Sequence, residues 1–201
     1  MNWLSLSLLL IQFTDQPRTL LIRVVNSANI PDNVLARAGE EVQRIYRRAG
    51  IPTIWRLERT ESGTQQPAAN ETDSFRVVVV ITADCINKRT CQDKSVMGTA
   101  LGSGRDGIRR AYVFSDRVYE MAWKFHKRIP VPKAEGLVMG HAIAHEVGHL
   151  MLPPPGHSRT GLMAASMDLP SIQNAVRGDL LFTALESALM RATLSGPPSA
   201  P

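Results

Sequence analysis

The stretch His145-Glu146-Val147-Gly148-His149-Leu150-Met151-Leu152-Pro153-Pro154-Pro155-Gly156-His157 constrains this chain more than any other, and it holds three of the five histidines. On a helix, side chains four apart share a face and lie about 6 Å apart along the axis, so His145 and His149 can reach one metal ion. Glu146 is offset from both imidazoles, where a carboxylate can take a proton from a metal-bound water without being a ligand itself. Three prolines and Gly156 end the helix just past His149, and the chain can then turn back so that His157 offers a third imidazole. Zn²⁺ suits this donor set, because a catalytic zinc site keeps three protein ligands and leaves a fourth position to water. Glu186 and Asp168 are the fallback acids if His157 is not the third ligand. A bare match to such a short pattern also arises by chance. Here the context favours the site: Ala144, Val147 and Leu150 are uncharged where a helix is buried behind a metal, and a histidine and a methionine follow a forced helix stop.

Residues 137–163 resemble the metzincin metallopeptidases, whose motif has a third histidine six residues after the second and then a methionine turn below the metal. In this chain the third histidine comes eight residues after the second, and Leu152 stands where that family has glycine. The run His157-Ser158-Arg159-Thr160-Gly161-Leu162-Met163 is similar to the matrixin-type passage from third ligand to methionine turn. The resemblance implies a zinc metallopeptidase with one catalytic Zn²⁺, Glu146 as general base and Met163 as the methionine of the turn. It also implies a peptide substrate held extended along an edge strand, for which Val96, Met97, Gly98, Thr99, Ala100 and Leu101 are the candidates. The expected fold is α+β (α/β-like), a small zincin domain with a mixed twisted sheet packed on a long active-site helix and a short C-terminal subdomain carrying the Met-turn and a helix. The alternative is a catalytically inactive zinc-stabilised binding protein of the envelope or extracellular space, which the longer spacing before His157 permits.

The remaining features set bounds. A chain of 201 residues with 44% hydrophobic content can bury one sizeable core, so residues 16–195 are read as a single domain and 196–201 as a disordered tail. The net charge of +5 is spread over short clusters such as Arg44, Arg47, Arg48 and Lys124, Lys127, Arg128, which read as solvated helix faces and not as a nucleic-acid surface. The Gly-rich residues 102–107 lack the Gly-Lys-Ser/Thr ending of a phosphate loop. Residues 4–13 are apolar, too short to span a bilayer but suited to the centre of a signal peptide within residues 1–15, with a buried first strand as the other reading. Export to the periplasm or the extracellular space is slightly favoured over the cytoplasm. Cys85 and Cys91, six apart, are either a small disulfide loop or two thiols. The sequon at Asn70 is discounted as a frequent chance triplet.

Periodicity places the elements. Strands are expected over 19–25, 51–57, 75–82, 96–101 and 111–114, with 75–82 central and covered on both faces. Helices are expected over 32–49, with Asp32 as N-cap and Gly50 as stop, from a Ser115 cap to about 126, and over 134–152 after Pro130 and Pro132 break the chain. A polar surface loop fills 58–74. A C-terminal helix should bury Leu180, Leu181, Ala184, Leu185, Ala188 and Leu189 on one face. His141 lies on the side of His145 and His149 but about 9 Å from the level of the metal, which makes it a hydrogen-bonded core histidine, and His126 belongs to the surface.

Overall fold

Alternating burial along three strands sets the architecture. In the computed structural model, residues 18–58, 74–87, 91–93, 95–104, 108–154 and 156–196 are described. The apolar leader, the sequon at Asn70, most of the polar stretch around it and residues 197–201 lie outside them. Leu20, Ile22 and Val24 of β1 (Thr19–Asn26), Val77, Val79 and Ile81 of β3 (Ser74–Thr82), and Ala111 and Val113 of β5 (Arg109–Phe114) point to one face and are fully buried. With β2 (Thr53–Glu58) and β4 (Gly98–Ser103) they form a five-stranded sheet in the order β2-β1-β3-β5-β4. The first four strands in that order run parallel, and β4 pairs antiparallel with β5 at the edge. β3 is central, as its apolar run requires, but Val78 and Val80 on its second face are only half-buried, so the expected cover on both faces is not met. The alternation is that of a sheet with one fully packed face.

Two long helices share the buried face. α1 (Asp32–Arg48) buries Val34, Leu35, Ala38, Val42, Ile45 and Tyr46, a one-sided stripe at helical spacing. Pro31, not Asp32, is its N-cap, and Asp32 sits in the first turn, where its charge suits the helix dipole. α2 (Ser115–Trp123) follows β5 directly, capped by Phe114 and without the expected Ser115 side-chain cap, and it ends at Trp123, short of residue 126. α3 (Val131–Met151) starts three residues before the expected 134, because Pro130 is its N-cap and Pro132 fits the first turn, where no N–H partner is needed.

α3 crosses α1 closely. A Cβ built on Gly136 would stand 2.7 Å from Arg37 Cβ, and one on Gly140 would stand 2.8 Å from Glu41 Cβ. Glycines one turn apart therefore let the two backbones meet. At the same crossing the buried Tyr46 hydroxyl donates to the Ala144 carbonyl at 3.0 Å.

The C-terminal part differs from expectation. α4 (Leu169–Arg177), which the sequence reading missed, is capped by the Asp168 side chain accepting from the Ser171 N–H at 2.9 Å. Leu180 and Leu181 lie outside any helix or strand, and α5 (Ala184–Ser195) begins only at a capping box between Thr183 and Glu186. Its buried residues are Glu186, Ser187, Met190 and Leu194, whereas Leu185 is 70% exposed, so the expected apolar face is turned away from the core. The capping box fixed the helix start and hence its phase. Among the described residues no helix is long and apolar enough to cross a membrane.

Candidate metal centre

The cluster is built from α3 and the turn beyond it. α3 ends at Met151, and the chain reverses to carry His157 back beside His149. Gly156 makes that reversal possible: its φ of +75° lies in the left-handed region, and a Cβ there would stand 2.6 Å from His149 Nδ1. The candidate nitrogens of His145, His149 and His157 all lie within 4.8 Å of one another. Ring centroids are 4.7 Å apart for His145–His149, 5.5 Å for His145–His157 and 4.7 Å for His149–His157.

Hydrogen bonding fixes the orientation of the first ring. His145 Nδ1 lies 2.8 Å from the Leu162 carbonyl, which can only accept, so Nδ1 carries the proton and the Nε2 lone pair is free. That Nε2 lies 3.0 Å from Nε2 of His149. At that separation a neutral His149 ring with its proton on Nε2 donates to the His145 lone pair, and with the proton on Nδ1 instead both Nε2 lone pairs are free to bind one cation. Two zinc–nitrogen bonds of about 2.0–2.1 Å at a tetrahedral angle set their nitrogens about 3.4 Å apart, so the pair needs to part by only a few tenths of an ångström to share a cation. Burial, followed by the neighbouring His145 and His157, pushes the His149 pKa down to about 4. Burial also lowers that of His145, against the opposing bond to Leu162. Both rings are thus neutral and available as donors at neutral pH.

Glu146 is adjacent and 7% exposed. Burial pushes its pKa up to about 8, a shift that a dication at the histidines would oppose. Its side chain lies against the start of β4: a Cβ on Gly98 would stand 2.7 Å from Glu146 Cγ and 2.8 Å from Oε1. The expected edge strand is therefore displaced. Gly98, Thr99, Ala100 and Leu101 belong to β4, which runs on through Gly102 and Ser103 past a bulge, while Val96 and Met97 precede it. All six line the same cleft of about 550 Å³ as the three histidines and Glu146.

Beneath the histidines, residues 157–164 make a tight turn. The Ser158 N–H donates to the Met163 carbonyl at 2.9 Å, and the Leu162 N–H to the Leu181 carbonyl at 2.9 Å. Met163 is fully buried, and its sulfur would stand 2.7 Å from a Cβ on Gly148, the residue before His149. The fallback acids are engaged elsewhere. Glu186 accepts from the Thr183 N–H at 2.7 Å through Oε2 and from the Ser158 hydroxyl through Oε1, and Asp168 caps α4. Neither belongs to the three-donor cluster. His141 is fully buried, with Nδ1 2.9 Å from the Leu137 carbonyl and Nε2 3.5 Å from Glu41 Oε1, so it is the core histidine expected. His126 is exposed and stacked on Trp123 at 4.7 Å.

The sequence reading named Gly156 as part of the helix stop and Gly98 as an edge-strand residue, but missed their close approaches to His149 and Glu146, the Leu162 carbonyl on His145 and the Ser158–Glu186 contact. The Thr183-x-x-Glu186 capping box was the one legible signal among them. The Cys85–Cys91 pair, left open above, is a disulfide with Cα atoms 5.2 Å apart.

No protein-family model and no curated protein matches the sequence. Solved structures do share the fold. A zinc-dependent peptidase from Methanocorpusculum labreanum superposes with a TM-score of 0.56 at 14% identity, over 84% of this chain and 99% of that one. The archaemetzincin from Methanopyrus kandleri gives 0.56 at 17% identity, over 93% and 100%. Metalloproteinase-II from Bacteroides fragilis gives 0.51 at 11% identity, over 89% of this chain and 54% of that one. At these identities the likeness is one of fold.

Proposed function

We propose that this chain is a zinc metallopeptidase of metzincin-like type, in which His145, His149 and His157 hold one Zn²⁺ and Glu146 is the general base. The observation that carries the reading is the meeting of three imidazoles within 4.8 Å beside a buried carboxylate, in a cleft bordered by an edge strand. Its fold is shared with proteins described as a zinc-dependent peptidase, an archaemetzincin and a metalloproteinase, which supports the same reading.

Bound zinc supplies Lewis acidity, lowering the pKa of a coordinated water to about 7 and polarising a carbonyl. The chain does the rest. β4, at the sheet edge among the described residues, offers backbone N–H and C=O groups to an extended peptide, and the cleft sets the scissile bond beside Glu146. Glu146 takes the proton of the attacking water as the new C–O bond forms and delivers it to the amine nitrogen as the C–N bond breaks. Its burial suits both roles, because a carboxyl whose pKa is drawn toward neutrality can accept and return a proton. Met163 underlies the site as the methionine of the turn. Residues 16–195 act as a single domain. The protein is exported, in keeping with a disulfide that persists in an oxidising compartment.

The test is metal analysis of the purified protein together with Glu146→Gln. Wild type is expected to carry one zinc per chain and to cleave a generic peptide mixture, and His157→Ala to lose the metal. Glu146→Gln should keep zinc and lose cleavage by about 10²–10⁴-fold. Retained cleavage removes Glu146 as base. Zinc bound by wild type without any cleavage favours the inactive binding protein instead.

A further inference from the structure

The segment between β3 and β4 leaves the sheet after Thr82 and returns at Gly98. Its described residues are pinned by one corner of the fold, the junction of β5 and α2. The Asp116 N–H donates to the Ala83 carbonyl at 3.0 Å, and the Phe114 N–H to the Met97 carbonyl at 2.8 Å. Arg117, buried under the segment, donates through Nη1 to the carbonyls of both Asp93 (2.8 Å) and Val96 (2.6 Å), with Nη2 3.5 Å from the Asp84 carboxylate. The Cys85–Cys91 bridge ties the remaining part, where the Cys91 N–H also donates to the Asn87 carbonyl at 3.0 Å. Asn87, inside the bridge, and Ser95, Val96 and Met97, beside the Arg117 contacts, all line the cleft that holds the three histidines.

A buried guanidinium directed at two main-chain carbonyls fixes backbone, because its planar fork holds both acceptors in one geometry. A disulfide across a short loop removes alternative conformations of the same segment. We propose that Arg117 and the Cys85–Cys91 bridge are positioning residues for an extended peptide: together they pre-form the rim that Asn87, Ser95, Val96 and Met97 give the cleft beside the edge strand. This rests on the peptidase reading above. A rim held in its binding conformation spares the ordering that binding otherwise requires, so its release weakens affinity for a peptide and leaves the chemical step intact.

The experiment compares wild type with Cys85→Ser/Cys91→Ser and, separately, Arg117→Gln. For a peptide long enough to span the cleft, KM should rise by about tenfold in each variant while kcat and zinc content stay at wild-type values. The same rise is expected in the Kd of that peptide when each change is combined with Glu146→Gln, and the amides of residues 95–98 should exchange with solvent faster. Unchanged KM and Kd in a folded variant overturn the proposal, as does a fall in kcat with loss of zinc, which would mark the clamp as support for the metal alone. If Arg117→Gln does not fold, the paired serine variant decides. A wild type that neither binds zinc nor cleaves rejects the peptidase reading, and the clamp is then judged on exchange alone, where unaltered protection of residues 95–98 overturns it.

Discussion

Single residues carry more of this site than its three histidines suggest. Gly156 combines a left-handed φ with an approach to His149 that leaves no room for a Cβ. Gly156→Ala is expected to displace either the His149 ring or the turn bearing His157, and to lower zinc affinity by about 10–100-fold, the scale of a lost supporting contact. Competition with a chromogenic chelator measures this, and unchanged affinity counts against the third-ligand role of His157. His141 makes a second residue-scale prediction. Burial, the largest influence on it, depresses its pKa below the usual histidine value, opposed by the bond to the Leu137 carbonyl and the facing Glu41 carboxylate and aided by Arg44, which is paired with Glu41. A base with a depressed folded pKa gives stability that is present above the unfolded value of about 6.5 and is lost as pH falls below it. In chelator-treated protein, urea midpoints of wild type should therefore fall from pH 7.5 to pH 5 more steeply than those of His141→Gln.

At the scale of elements, the α1–α3 crossing places the metal helix. Gly140 sits where a Cβ would meet Glu41 Cβ at 2.8 Å and the Ala38 carbonyl at 2.9 Å. Gly140→Val should force the helices apart and destabilise the fold by about 1–3 kcal/mol, the range of an overpacked core, with a matching shift in the urea midpoint. Tyr46 belongs to the same crossing, since its bond to the Ala144 carbonyl anchors α3 immediately before His145. Local signals placed α1, β1 and β3 to within a residue or two. They failed for the C-terminal helix, where the spacing of Leu185 and Leu189 pointed to a buried face. Thr183 and Glu186 start α5 with a capping box, and that phase turns Met190 and Leu194 inward and Leu185 outward. Residues 180–182 stay outside the helix, and there the Leu181 carbonyl takes the Leu162 N–H beside the histidine cluster.

Across the whole molecule, the cluster joins α3 to the turn and helix of the C-terminal part, which share its core. α3 supplies two imidazoles, the turn after it supplies the third, and Glu186 of α5 holds Ser158 next to that third ring. Metal binding at such a junction should stabilise the native state as a unit. With free zinc at about a thousand times its Kd, linkage gives about 4 kcal/mol, so chelation should lower Tm by several degrees and zinc should restore it. A melting temperature indifferent to chelator and to zinc would mean that the histidines hold no structural ion.

The sequence by itself determined the reach of the site. Histidines four apart on an apolar helix, a glutamate between them and a proline-forced stop before His157 fix which side chains can converge, because helix geometry and the lost N–H of proline act within a few residues. It likewise fixed the central strand and α1, whose apolar patterns repeat with the period of their own backbone. Only the tertiary structure decided which groups orient and enclose that constellation: the Leu162 carbonyl on His145, Gly156 under the His149 ring, Gly98 against Glu146, and Arg117 on the carbonyls of Asp93 and Val96. These contacts join residues far apart in the chain or depend on clearances of a few tenths of an ångström, and neither is written in local periodicity.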